Sequence, residues 1–363
     1  MHIAMITATP RSVRQGSGTF VALETLAPGL EALGHRVEVV APARGPGMLG
    51  YTLHRFRFNR SLRAAQVASA DLVVGWDMDG YRLAGQLPCP FVTYVHGQLA
   101  DEARFERGLV AHSMRLQARA ERRSAWRADH VLTVSQYARR RLIELYALWP
   151  ARVSVVPPAF DVARWREALD RLPSPAAPSR PTVLSVARMY PRKNLHVLVT
   201  AAGLLRARVP DVRVRLIGDG PERGRLERQV RRLKLTGCVE LAGQVTYASL
   251  VEAYASCDVF CLPSRQEGFG IVFLEAMAAG KPVVACRGTA AEELVDPDLG
   301  ILVPTDDARA LADALHRLLT DPAERARLGS RGPARAEAFA PLPTARRFME
   351  AVTSASTPAP RTP

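Results

Sequence analysis

DVFCLPSRQEGFGIVFLEAMAAGKPVVAC (258–286) decides how the chain is read. DVFCLPS and KPVVAC are short apolar runs bounded by turn residues, and each reads as a strand. Between them a glycine-bearing turn leads into a helix that begins near Phe269 or Gly270. The runs have few polar interruptions, as expected of strands buried on both faces in a parallel sheet covered by helices. Within this segment Glu267 and Glu275 sit among Phe, Ile, Val and Leu. Chain interiors rarely keep acids in such company unless something binds them.

Working outward, the same alternation fills the chain. Upstream, PTVLSVA, VRVRLIG and CVELAG read as strands, separated by helical stretches such as NLHVLVTAAGLLRARV and YASLVEAYASC. The first half repeats the pattern with HIAMITA, RVEVVA, DLVVGW, FVTYVHG, DHVLTV and RVSVVP. The proline-rich RLPSPAAPSRP (171–181) separates the two arrays and reads as a linker. The fold class is therefore α/β, with two Rossmann-like doubly wound domains facing across a cleft. The expected boundaries are 1–170 for the first domain and 182–334 for the second. A last amphipathic helix follows at 335–352, and a frayed tail at 353–363.

Strand ends are where such folds bind ligands. SVARMYPRKN (185–194) places Arg188 and Lys193 at a βα turn, with Asn194 able to begin the next helix. Two cations beside helix N–H groups form a site for a diphosphate; two solvated loop cations are the plainer alternative. Gly268 and Gly270 allow close backbone approach at the start of the next helix, flanking Phe269. Carboxylates accept hydrogen bonds from vicinal hydroxyls, so one acid could hold a ribose and the other a sugar ring. The plainer alternatives are a helix-dipole contact for Glu267 and a buried salt bridge for Glu275.

E-x7-E after a strand ending in PS, with R-x4-K upstream, resembles the retaining glycosyltransferases of GT-B fold, family 4. LIGDGPE (216–222), LAGQV (241–245), GKPVVAC (280–286) and VHG (95–97) fall in that family's order and extend the likeness over most of the chain. The resemblance implies transfer of a sugar from a nucleotide-diphosphate sugar, a UDP-sugar or GDP-mannose, to a carbohydrate, lipid-linked or small-molecule acceptor. It implies no cofactor and no metal, the nucleotide sugar being a co-substrate. Glu275 would bind the ribose and Glu267 the donor sugar, while Arg188 and Lys193 would neutralise the diphosphate. Gly218, Gly243, Gln244 and Val245 would line the donor site through backbone groups, and His96 would approach the donor sugar from the first domain. The last helix would cross back onto the first domain. The glycine loop GSGTF, through Gly16 and Gly18, would lie near phosphate and acceptor, although Ser17 stands where many members carry adjacent glycines. Rival readings are an epimerase or phosphorylase-type enzyme of the same fold, and a non-catalytic sugar-nucleotide binder.

Asp77-Met78-Asp79 copies the D-x-D pair that binds a divalent metal in glycosyltransferases of the other major fold, but it lies far from the phosphate turn in sequence. A helix start or an acceptor-side loop is the expectation. His112 lies mid-helix with no partner that spacing suggests. The five cysteines form no C-x-x-C pair, which favours reduced thiols and a cytoplasmic protein. MHIAMITATPRS lacks a basic leader and reads as a first strand.

The net charge of +14 raises the question of nucleic acid. All basic residues but Lys193, Lys234 and Lys281 are arginine, a bias that looks like GC-rich coding background, and no nucleic-acid motif accompanies it. The densest segment, 104–127, interleaves arginine with apolar residues at helical spacing. It is either a solvated helix face or a basic amphipathic surface that attracts anionic lipid or an acidic acceptor. The second reading would place the protein peripherally on the inner membrane face.

Overall fold

The computed structural model describes residues 1–9, 18–42, 50–173 and 180–354. Two compact units emerge, one built from 1–160 together with the chain's end from 339, the other from 161–338.

In the first unit, β1 (His2–Ile6), β2 (Arg36–Val40), β3 (Leu72–Trp76), β4 (Phe91–Val95), β5 (His130–Thr133) and β6 (Val153–Val155) form one sheet in the order β2-β1-β3-β4-β5-β6. Every pairing is parallel. The central strands β3 and β4 are buried along their whole length, so both sheet faces are covered. The helix Gly18–Ala32 packs on the last helix, Pro341–Ser354, and Gly29 makes this possible. A Cβ there would sit 2.4 Å from the Pro341 carbonyl oxygen. Where the chain leaves and re-enters this unit, the Phe160 N–H donates to the Phe339 carbonyl at 2.8 Å.

The second unit holds β7 (Thr182–Val186), β8 (Arg213–Ile217), β9 (Val239–Gly243), β10 (Val259–Leu262), β11 (Val283–Cys286) and β12 (Gly300–Val303). Their order is β12-β11-β10-β7-β8-β9, again all parallel. β7 therefore pairs with β8 on one side and β10 on the other. The strand order reverses at this point, and the loops leaving β7 and β10 diverge to leave room for a ligand.

Three expectations need correction. The second sheet has a sixth strand, β12, that periodicity did not reveal. Residues 161–170, read as part of the first domain, form the helix Val162–Asp170 of the second unit, because Trp165 packs its ring 5.4 Å from that of Tyr254 and donates to the Glu275 carbonyl. The final segment is also divided differently: the helix Pro322–Glu337 stays with the second unit, and Pro341–Ser354 is a separate helix. Within the expected linker, 174–179 lie outside the described residues, as do Gly16 and the end of the chain from 355.

Candidate active site

The site of the second unit is built on loops that share main-chain bonds. Gly218 and Gly220, after β8, lie against the turn after β7: a Cβ on Gly218 would fall 2.0 Å from the Ala187 carbonyl oxygen, and one on Gly220 2.8 Å from the Met189 nitrogen. Both glycines have positive φ. Met189 in turn donates to the Asp219 carbonyl at 2.9 Å, and Gly218 to the Gly243 carbonyl at 2.8 Å. The loop after β10 is tied in by the Arg265 N–H, which donates to the Arg192 carbonyl at 2.8 Å.

On this frame Lys193 and Glu267 meet. Lys193 closes the short turn Pro191–Lys193 after β7, and Glu267 follows β10, the adjacent strand. Lys193 Nζ donates to Glu267 Oε2 at 2.6 Å, and Ser264 Oγ donates to the same oxygen at 3.3 Å. The two side chains are only 12% and 9% exposed. Burial opposes the Glu267 charge, but Lys193, then Arg192, and both hydrogen bonds hold its carboxyl below the usual range.

Arg188 projects outward with its guanidinium 5.8 Å from the Tyr190 ring, and Arg192 lies at the same distance from that ring. Asn194 takes a left-handed conformation (φ 59°) before the helix Leu195–Arg206. Its side chain does not cap that helix but donates to Asp306 at 3.0 Å.

Glu275 lies in the helix Ile271–Ala278, which starts one residue later than expected, after Gly270 in a left-handed conformation. A Cβ on Gly270 would strike the Phe273 ring at 2.5 Å. Tyr254 donates its hydroxyl to Glu275 Oε2 at 2.7 Å. Burial pushes this carboxyl up to about 7 despite that bond. The salt-bridge alternative for Glu275 is thus replaced by a hydroxyl contact beside an aromatic cluster of Trp165, Tyr254 and Phe260. Phe269 is buried, Gly268 precedes it in the turn, and Gly243 closes β9, with Gln244 and Val245 following it and Gln244 exposed.

In the first unit, Gly18 begins the helix Gly18–Ala32. His96 follows β4, its ring stacked on Trp76 with centroids 4.6 Å apart. Among the described residues neither ring nitrogen has a side-chain partner, and burial lowers its pKa to about 4. Asp77 and Asp79 do not start a helix; both are buried in a turn after β3. Asp79 accepts from Arg55, from Asn59 and from the Ala8 N–H, tying the end of β3 to that of β1. Among the described residues no group of three His, Cys, Asp or Glu side chains is placed to hold a metal ion.

The signature of Glycosyl transferases group 1 matches residues 169–335, and that of Glycosyltransferase Family 4 matches 16–164. The chain belongs to the group 1 glycosyltransferases. A D-inositol 3-phosphate glycosyltransferase of Kineococcus radiotolerans is 37% identical over 61% of this chain and 56% of its own length. A GDP-mannose-dependent alpha-(1-6)-phosphatidylinositol monomannoside mannosyltransferase of Mycolicibacterium smegmatis is 35% identical, over 56% of each. The match thus spans about half the length of these curated relatives. Among solved structures, a sucrose-phosphate synthase from Thermosynechococcus elongatus superposes with a TM-score of 0.78 at 23% identity, over 99% of this chain and 100% of its own, a likeness of fold.

Sequence reasoning missed Ser264 and Arg192, which with Lys193 hold the Glu267 carboxyl down, and Tyr254, which donates to Glu275. PS at the end of β10 was a usable signal for Ser264. Nothing local marks Tyr254, whose helix Tyr247–Ser256 presents it to Glu275 only once the sheet is formed.

Proposed function

We propose that this chain transfers a sugar from a nucleoside-diphosphate sugar to a hydroxyl acceptor with retention of configuration. The observation that carries the reading is the buried Lys193–Glu267 pair at the junction of β7 and β10. A cation and a carboxylate at one strand-end junction suit a ligand that is anionic at one end and hydroxylated at the other.

The bond from the anomeric carbon to the diphosphate oxygen breaks as negative charge builds on phosphate. Lys193, the outward Arg188 and the first N–H groups of the helix Ile271–Ala278 stabilise that charge. The acceptor oxygen bonds to the same carbon from the face the diphosphate leaves, and its proton passes to the departing phosphate. Protein cations supply the charge stabilisation, so no divalent metal takes part. Glu267 holds donor-sugar hydroxyls, Glu275 the ribose, and the backbone around Gly218 and 243–245 the base. His96, neutral at physiological pH, serves the reaction as a hydrogen-bond partner and not as a cation. The names of the relatives favour GDP-mannose as a donor and an inositol-bearing compound, free or lipid-linked, as acceptor.

A nucleotide-sugar panel read by thermal shift tests this, since a ligand of the native state raises the melting point with concentration. GDP-mannose or UDP-glucose should stabilise the protein, and an inositol phosphate or phosphatidylinositol vesicles should then release nucleoside diphosphate. No stabilisation by any donor would end the proposal. Isomerised donor without acceptor would show an epimerase, dependence on inorganic phosphate a phosphorylase, and binding without turnover a binding protein.

We further propose that the helix Gly108–Arg127 meets an anionic membrane surface. Leu109 is 89% exposed, and Val110, Leu116 and Trp126 also face solvent beside Arg115, Arg119, Arg122 and Arg123. Apolar and cationic side chains on one face suit a headgroup layer. No described helix is long and apolar enough to span a bilayer. Co-sedimentation with phosphatidylglycerol vesicles but not phosphatidylcholine vesicles is expected. Equal behaviour with both would reject the contact.

A further inference from the structure

The first unit buries more charge than its sheet needs. Arg55, Asp77, Asp79 and Glu121 are each less than 10% exposed, and three of the four are acids. Replacing such clusters by apolar side chains is often neutral or stabilising, so stability alone is a poor account of them. What they touch is informative.

Asp77 Oδ1 accepts from the His96 N–H at 2.8 Å and the Gly97 N–H at 3.2 Å. Glu121 Oε2 accepts from the Leu99 N–H at 3.2 Å and from the Tyr146 hydroxyl. These three amides leave the end of β4 with no sheet partner, and carboxylates satisfy them. Asp77 reaches them from a left-handed backbone (φ 54°) whose own N–H is bound to the Tyr94 carbonyl at 2.9 Å. A side chain that is not glycine rarely adopts this conformation unless its surroundings enforce it. Arg55 Nη2 stands 3.6 Å from Asp77 Oδ2 while its Nε is held by Asp79 at 2.9 Å, so the clamp is braced from behind. Trp76, the residue before Asp77, stacks on the His96 ring. The last residue of β3 and the one after it thus hold the ring and the main chain of His96.

We propose that Asp77 and Glu121 are positioning residues that set the segment 96–99, and through it His96, for the reaction. The proposal rests on the reading of His96 as a participant in sugar transfer. The D-x-D pair, which looks like a metal motif in the sequence, is here a device for holding backbone. Burial, reinforced by the Asp77 charge, keeps the Glu121 carboxyl well above its usual range.

The test uses the full chain and two readouts. Without any ligand, amide hydrogen exchange over 96–99 should quicken at least about tenfold in Asp77→Ala, with the strands of the second unit unchanged. Asp77→Asn, which keeps an acceptor oxygen, should stay close to wild type. Glu121→Leu, similar in volume, should release Leu99 and serves if Asp77→Ala fails to fold. With GDP-mannose or UDP-glucose as donor, nucleoside diphosphate release in Asp77→Ala should lose about 10- to 100-fold in kcat with little change in donor KM. In a His96→Ala background the same change should add almost nothing. Unchanged exchange in Asp77→Ala and Glu121→Leu, or losses that multiply in the double variant, would overturn the proposal. Full activity in His96→Ala would reject the role of His96 instead, and the exchange result would still decide whether the carboxylates hold the segment.

Discussion

Lys193 and Glu267 stand 74 residues apart in the chain and 2.6 Å apart in the fold. Their strands, β7 and β10, are neighbours in the sheet although two strands separate them in sequence. Breaking a buried pair by removing one partner leaves an uncompensated charge, at roughly 3–5 kcal/mol. Lys193→Ala should therefore be destabilised in denaturant melts, and adding Glu267→Gln should restore much of that loss. Turnover should not return with it. Loss of one charge-stabilising contact costs roughly 10²-fold, about 2.7 kcal/mol. Near-wild-type nucleotide release by Lys193→Ala would remove this residue from the mechanism.

Glu275 makes the stability of the fold depend on pH. Its carboxyl rises from 4.5 to about 7 on folding, so the folded state binds a proton that the unfolded chain has released. Stability from this group is complete below pH 4.5 and is lost as pH rises through about 7. Glu275→Gln keeps an acceptor for Tyr254 but carries no charge to desolvate. The variant should match wild type near pH 4 and exceed it at pH 8, by at most roughly 3 kcal/mol and less at this half-buried site. Melting temperatures across that range decide the matter. Glu275→Ala should meanwhile lose about 10²-fold in turnover if the ribose is held there.

Most strands were legible because burial on both faces writes them as unbroken apolar runs, as in LVVGW and FVTYV. β12 escaped because it is four residues long and opens on Gly300, which reads as loop. The glycine is there for packing: a Cβ would lie 2.0 Å from the Val283 carbonyl oxygen. Asp161, which caps the helix Val162–Asp170, was a local signal for that helix. Which unit the helix joins depends on Trp165 finding Tyr254, and no window of sequence contains both. The same limit applies to Asp77: its spacing to Asp79 suggested metal chemistry, whereas its role follows from β4 lying beside β3.

Gly218 tests how far the frame depends on close backbone contact. Its φ of 123° is unfavourable for any side chain, and the added Cβ would overlap the Ala187 carbonyl. Backbone cannot retreat as a flexible side chain can. Gly218→Ala should lose about 2 kcal/mol or more in chemical denaturation, whereas Gly237→Ala, with open space around it, should stay within about 0.5 kcal/mol. Equal stability of the two variants would show that the loops after β7 and β8 are not packed as described.

His96 carries the last prediction. A free imidazole titrates near 6.5, while burial takes this one to about 4, Asp77 opposing the shift. The folded pKa of a base is depressed, so the ring is neutral through the physiological range and charges only in acid. Proton uptake by the unfolded chain then costs the native state stability as pH falls below 6.5, and the loss is complete below about 4. Its NMR titration should show a midpoint at least one unit below that of a free imidazole. His96→Ala should accordingly gain relative acid stability while losing turnover at neutral pH. A midpoint near 6.5 would mean that the ring is solvated, and the stacked geometry on Trp76 would then be wrong.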